Sequence, residues 1–448
     1  MNSEKTGMHG VWSNRWTFIL AATGSAVGLG NIWKFPYITG ENGGGAFVLM
    51  YLLCILSVGI PVMLAEVMLG RKARMSPINA MKELTVAEQA PKFFRSIGWM
   101  GALAGFFILS FYSVIAGWTL IYVAKMATGV FAGANSELAG AEFGGLLGDP
   151  VTLLVLHTLF IFMTGFVIAR GVHKGLENAV RLMMPLLFLM LILLLGYSLT
   201  TPGFGQSLDF MFSFDFSKLN TESLVVALGH SFFTLSLGMG AMMTYGAYMP
   251  KQASLGSTVL TVAILDTLVA LVAGVVIFAV VFSNGMEPAA GPGLLFKTLP
   301  VAFGALPFGS LIGAAFFVLV VIAAWSSAIS IAEPAVAWAV EKGYKRLTAT
   351  IAVCVLSWAL GIGSVLSFNL WSDATIGGKT FFDWLDFVTS NVMLPLGGIL
   401  IAIFVGWFMR AETIAAESRL SPALLSVLGV MLKVVSPLAV LAVFVHGL

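Results

Sequence analysis

Two hydrophobic stretches of this chain carry glycine pairs among hydroxyl and amide side chains. One reads Gly24-Ser25-Ala26-Val27-Gly28-Leu29-Gly30-Asn31, and the other reads Thr234-Leu235-Ser236-Leu237-Gly238-Met239-Gly240, about 210 residues later. A helix broken in an apolar setting bares N–H and C=O groups that lipid cannot satisfy, so such breaks are tolerated only where they line a cavity. Paired breaks at corresponding positions of two halves mark the binding site of a secondary transporter. Bare N–H groups at a helix start favour an anion, and bare carbonyls at a helix end favour a cation. A zwitterion suits a place that offers both. The N–H groups of Leu29 and Gly30 suit a carboxylate, while the carbonyls of Ala26, Phe233 and Thr234 with the Ser236 hydroxyl suit an ammonium. Asp266 adds an acidic side chain inside an apolar run with no Lys or Arg near mid-depth to pair with it. Such a residue is costly in a membrane and points to function. The glycines also have a plainer reading, the close packing of neighbouring helices.

The elements that must position these groups are membrane helices. Of 448 residues 59% are apolar and only 10% charged, against about 25% charged in soluble domains. Apolar runs of twenty or more exclude a β-barrel, whose strands are short and alternating. The net charge of +2 gives no electrostatic case for nucleic acid, and no such partner is expected; membrane lipid is. Cys54 and Cys354 both lie in apolar runs and form no disulfide framework or metal-ligand spacing. Residues 1–14 are polar, so no cleavable leader is expected.

Eleven spans near the ~20 residues a bilayer needs fall at 15–39, 44–70, 97–127, 150–169, 176–198, 223–250, 256–284, 308–341, 347–369, 381–409 and 423–446. Lys and Arg crowd one set of loops, including Arg71, Lys72, Arg74, Arg170, Lys174, Lys251, Lys345 and Arg410, while only Lys125, Lys218, Lys297 and Lys379 fall on the other. The positive-inside rule then puts the N-terminus in the cytoplasm and the C-terminus outside a cell inner membrane. Spans 1–5 (15–198) and 6–10 (223–409) form two halves, inverted relative to each other because each has an odd number of spans. The stretch 423–446 is extra, and the whole chain is one transmembrane domain.

The run Gly24 to Pro36, the segment Glu41-Asn42-Gly43-Gly44-Gly45-Ala46-Phe47 and the run Phe232 to Gly240 together resemble the neurotransmitter:sodium symporter family, most closely its bacterial amino-acid transporters. The similarity extends across spans 1–10. It implies an all-α fold with a five-plus-five inverted repeat of the leucine-transporter type, with spans 1 and 6 unwound mid-membrane. The implied activity is Na+-coupled uptake of amino acids by alternating access; no enzyme activity is implied. The lack of a twelfth span resembles an eleven-span bacterial subgroup.

By that match Tyr112 bonds the substrate carboxylate, although a buried tyrosine satisfied by a carbonyl is the bland alternative. Gly28 stands where monoamine-carrying members place an aspartate, so the substrate is expected to bring its own carboxylate. A first sodium site would use the Ala26 carbonyl, the Asn31 amide oxygen, Thr234, Asp266 and the substrate carboxylate. A second would use carbonyls of Gly24, Val27 and Ala323 with hydroxyls of Ser326 and Ser327, whose bland reading is bonding to the preceding helical turn. Na+, a hard cation, suits such oxygen ligands. Many relatives have Asn where this chain has Asp266, and chloride-dependent members hold the anion partly by a serine where this chain has Ala270. Chloride independence is therefore expected. Tyr51 and Thr234 match other parts of the chloride pocket, and His230 replaces a usual glutamine, as a titratable group or as a hydrogen-bonding one.

The side-chain pocket would be Ile108, Tyr112, Phe233, Ser236, Met239, Ser327, Ala328 and Ile331. It suits a hydrophobic or aromatic side chain, with Met239 either adaptable lining or core packing. Lys34 and Asp386 match the outer gate pair, with Phe233 as an aromatic lid. Trp12, Tyr248 and Glu341 match the inner gate, whose usual arginine partner aligns with His9; Lys5 or His9 is the substitute. Gly175 and Pro185 match the place where span 5 opens. A same-fold transporter driven by H+ or by exchange, and a non-transporting amino-acid sensor, are the competing readings.

Overall fold

The computed structural model describes residues 10–288 and 291–447. Among these residues nine helices are long and apolar enough to cross a membrane. The stretches expected as spans 1 and 6 are each split into two shorter helices. In chain order the elements are α1 (Arg15–Ala26) and α2 (Phe35–Glu41). They are followed by α3 (Gly45–Ala73), α4 (Lys92–Ala127), α5 (Pro150–Ala169) and α6 (Val172–Ser198). After the second split pair, α7 (Thr221–Thr234) and α8 (Ala241–Ala247), come α9 (Leu255–Ser283), α10 (Gly309–Glu341), α11 (Arg346–Ser367), α12 (Phe381–Phe408) and α13 (Pro422–Ala442). No named β-strand occurs among the described residues; Ile376 and Lys379 make a lone bridge. Two of the connections between the long helices carry short helices of their own, Ser136–Gly148 and Phe204–Phe212.

Local sequence explains where the helices start. Asn14 accepts from the Thr17 N–H at 2.9 Å and caps α1, Asp149 accepts from Val151 and Thr152 ahead of Pro150, and Asn220 forms a capping box with Ser223. Side-chain acceptors of this kind take up the orphan donors of a first turn.

The two breaks have different causes. In the first, Val27 turns extended (φ −70°, ψ 110°), and none of Gly24, Gly28 and Gly30 has a positive φ. In the second, Ser236, Gly238 and Gly240 all take left-handed conformations (φ 54°, 79° and 74°), which glycine adopts freely and other residues rarely do. The break therefore starts before the glycine pair, at Leu235. α4 and α10 pack along each other more extensively than any other pair. α6, α9 and α10 hold α1 in place, and α8 lies against α3. The buried apolar residues form one continuous core around both breaks.

Candidate functional site

The two breaks meet. Asn31 Nδ2 donates to Asp266 Oδ1 at 2.8 Å, to the Asp266 carbonyl at 3.1 Å and to Thr234 Oγ1 at 3.1 Å. The Thr234 hydroxyl donates to Asp266 Oδ2, also at 3.1 Å. Asn31 Oδ1 accepts the bare Gly28 N–H at 3.0 Å. Asn31, Thr234 and Asp266 are each fully buried. The placing of N and O on the Asn31 amide is an assignment from hydrogen bonding, and rotating it would turn an oxygen toward the same cluster. The set is oxygen-rich and carries one carboxylate, the donor chemistry that a hard monovalent cation takes.

A second oxygen cluster lies on the other side of the first break. Ser327 Oγ faces the carbonyls of Val27 at 3.0 Å, Ser25 at 3.1 Å and Gly24 at 3.4 Å. Ser326 Oγ donates to the Ala323 carbonyl at 3.0 Å, so for Ser326 the plain back-bonding to the preceding turn is what the structure has. A Cβ on Gly24 would come within 3.3 Å of Ser326 Cβ, so the two backbones are closely apposed.

Between the clusters lies a small cavity of about 20 Å³, lined by Ser25, Ala26, Gly28, Leu29, Gly30, Ile108, Tyr112, Phe233, Ser236, Met239, Ser327 and Ile331. That is room for little more than one water molecule. All but Ser25 were expected from sequence. Ala328 is buried without lining the cavity, and Thr234 turns to Asp266 instead. The Tyr112 hydroxyl accepts the bare Leu29 N–H at 3.4 Å. A Cβ on Gly28 would sit 2.5 Å from Ser327 Oγ and 3.1 Å from the Tyr112 hydroxyl, and one on Gly30 would press the Phe233 ring at 3.2 Å. The glycines of the first break are thus there for space, not for backbone conformation. Ser236 ties the breaks together by donating to the Ser25 carbonyl at 2.8 Å.

Glu66 went unnoticed in the sequence, although an acid inside an apolar run was the available signal. It is fully buried, and its Oε1 accepts the Gly238 N–H at 2.5 Å. The carboxylate satisfies a donor that the second break leaves bare. His230 has neither ring nitrogen hydrogen-bonded among the described residues; its ring stacks on Phe35 and lies against Tyr51.

The gates differ from expectation. Lys34 and Asp386 do not pair: Lys34 Nζ lies over the Phe233 ring, 4.9 Å from its centre, and Asp386 accepts from Ser390 at 2.8 Å. Lysine has no bidentate fork to hold a carboxylate, and an aromatic face serves it as well. On the opposite side Trp12 does meet Tyr248, bonding its carbonyl at 2.9 Å and packing against the rings of Tyr245 and Tyr248. The carboxylate on the Tyr248 hydroxyl is Glu333, at 2.7 Å, and Arg346 pairs with Glu333 at 2.6 Å. Glu341 accepts from Ser76 and Asn79 at the start of a short helix, Pro77–Ala87, that follows α3. His9 and Lys5 lie outside the described residues. Glu177, also missed, holds the Ser13 N–H at 3.3 Å and Arg181 at 2.5 Å. Gly175 falls in a widened turn, Val172–Glu177, that begins α6, and Pro185 lies farther along the same helix.

Comparison with known proteins agrees with this arrangement. The model of the sodium:neurotransmitter symporter family matches residues 9–138 and 140–448. An uncharacterised sodium-dependent transporter of Bacillus subtilis, YhdH, is 40% identical over 97% of both chains. The human sodium- and chloride-dependent GABA transporter 2 is 25% identical over 90% of this chain and 73% of its own. The crystal structure of MhsT in complex with L-phenylalanine superposes with a TM-score of 0.90 at 43% identity, covering 98% of this chain and all of that one. Two broken helices meeting at a buried carboxylate, in a chain matched along nearly its whole length, make this a multi-pass membrane protein of the sodium:neurotransmitter symporter family, a sodium-dependent transporter and not an enzyme.

Proposed function

We propose that the protein is a Na+-coupled symporter that imports a zwitterionic amino acid with a hydrophobic or aromatic side chain, binds two Na+ and needs no chloride. The observation that carries this reading is the corner formed by Gly28, Leu29 and Tyr112. There a missing side chain, a bare N–H and a phenol hydroxyl face the cavity beside the Asn31–Thr234–Asp266 cluster. A substrate carboxylate at this corner would bond Leu29 and Tyr112 and complete the coordination of the first Na+. The ammonium would then face the carbonyl end of α7 and Ser236. Ile108, Phe233, Met239 and Ile331 supply the apolar wall. Because the cavity is nearly closed, the lid Phe233 and the flexible Met239 must move to admit a side chain. MhsT, whose crystal complex holds L-phenylalanine, makes aromatic amino acids the first to try.

Asp266 supplies the fixed negative charge that a chloride ion would otherwise bring, and Ala270 has no hydroxyl to hold one. The second Na+ would sit among the Gly24, Val27 and Ala323 carbonyls with Ser326 and Ser327. In this reading α1–α6 and α7–α12 are inverted halves with α13 added, and the N-terminus is cytoplasmic. The contact of Lys34 with Phe233 closes the outer side; Trp12, Tyr248, Glu333 and Arg346 close the inner. The test is uptake into proteoliposomes driven by a Na+ gradient in gluconate medium, competed by each natural amino acid. Full uptake without chloride, competed by large apolar amino acids, is expected. A strict chloride requirement, or competition by decarboxylated amines alone, would overturn the reading.

A further inference from the structure

Outside the substrate cavity, Arg71, Lys72, Arg74, Lys251 and Arg419 line a hollow of about 320 Å³ with only Glu83 and Glu417 among its lining to oppose them. Five cations against two carboxylates leave a surplus of three positive charges. A bias of Lys and Arg toward one membrane face accounts for charge in the loops. It does not account for the convergence of the end of α3, the segment after α8 and the segment before α13 on one hollow.

Glu417 is already committed, pairing with Arg71 at 3.2 Å and Lys72 at 3.9 Å. Arg71 is further fixed by the Ala253 carbonyl at 2.9 Å. Arg74 reaches the Ala247 carbonyl at 3.2 Å through Nη1, but its Nε is buried with no acceptor. A buried donor without a partner is costly. Like charges also crowd here, Arg419 against Arg71 and Arg71 against Arg74. The hollow lies at the ends of α3 and α13, hence at headgroup level. Immediately beyond Arg419, Leu424, Val427 and Val430 of α13 are more than half exposed, an apolar face that acyl chains can cover.

We propose that this cavity holds the phosphate of an anionic phospholipid, gripped by Arg74 and Arg419, with its acyl chains along α13. Guanidinium groups match phosphate oxygens in a planar, bidentate way. The apolar face beside the mouth favours a lipid over free phosphate.

The test compares the apparent melting temperature of the purified protein with added phosphatidylglycerol and with phosphatidylcholine. Phosphatidylglycerol is expected to raise it in the wild type. In Arg74→Gln/Arg419→Gln the increment should fall by at least half, and in Lys92→Gln/Lys345→Gln, outside the cavity, it should persist. Native mass spectrometry of Arg419→Gln alone, an exposed site, should show at least a halved fraction of retained phosphatidylglycerol even if the double variant folds poorly. No increment in the wild type, an undiminished increment or retained fraction in the arginine variants, or an equal loss in the lysine pair would overturn the proposal. So would inorganic phosphate at millimolar concentration reproducing the full effect in phosphatidylcholine, which would identify free phosphate as the occupant.

Discussion

Asn31 and Asp266 lie 235 positions apart in the chain and meet through a 2.8 Å hydrogen bond in the protein interior. That bond joins the first helix break to α9, and Thr234 brings the end of α7 to the same carboxylate. Everything proposed about cation coupling depends on this junction.

The charge of Asp266 is separable from its shape. Asp266→Asn keeps the volume and the acceptor oxygen but removes the negative charge. Apparent Na+ affinity in uptake assays should fall at least about tenfold, a loss of ~1.4 kcal/mol. The wild type should show the same rate in chloride and gluconate. An Asn variant as Na+-sensitive as the wild type would move the first cation site away from this carboxylate.

Ser327→Ala removes the hydroxyl that faces the carbonyls of Gly24, Ser25 and Val27. With no charged group in that cluster, one lost oxygen ligand matters. Na+ dependence of transport should shift several-fold while the protein remains folded. Ser326→Ala, whose hydroxyl is directed at Ala323, should shift it less. Unchanged Na+ dependence in Ser327→Ala would contradict the second site.

Gly28 tests the space for the carboxylate. A methyl there already meets Ser327 Oγ at 2.5 Å, so Gly28→Ala should weaken amino-acid binding markedly. Gly28→Asp adds a like charge near Asp266 and the substrate, which at ~4 Å in a partly desolvated site costs several kcal/mol. Uptake should then vanish. Retained uptake in Gly28→Asp would place the substrate carboxylate elsewhere.

Glu66 is expected to matter for stability through the second break. Glu66→Ala leaves the Gly238 N–H buried without its acceptor, at a cost of about 1–3 kcal/mol. Glu66→Gln keeps an acceptor and should lose less. Thermal denaturation of both variants beside the wild type in the same detergent distinguishes them, and a Glu66→Ala variant that melts with the wild type would show that the bond contributes nothing.

Much of this was legible in the amino-acid sequence, and the reasons are physical. Apolar runs of membrane length are an unambiguous signal, so the long helices fall within a few residues of expectation. The breaks were legible because glycine pairs flanked by hydroxyl and amide residues recur in two separate apolar runs, which close helix packing alone does not require, and family resemblance then named most of the residues that line the cavity. What escaped was partner choice over long distance. Nothing local ties Glu66 to Gly238, or Tyr248 to Glu333. Lys34 was paired with Asp386 by motif, yet its ammonium lies over Phe233, because a flexible side chain settles on whichever favourable surface the packing brings near. Ser236 looked like one hydroxyl among several, and only the backbone shows that it takes a left-handed conformation and ties the two breaks together.

The central claim is that substrate and Na+ bind as one unit, with the amino-acid carboxylate next to the first cation. Coupled sites affect each other reciprocally. The most direct measurement is equilibrium binding of a radiolabelled large neutral amino acid to the purified protein in Na+, in K+ and in choline, with Na+ affinity measured with and without the amino acid. Binding that requires Na+, together with Na+ affinity raised by the same factor when the amino acid is present, is the predicted result. Amino-acid affinity that is the same in Na+, K+ and choline would contradict it.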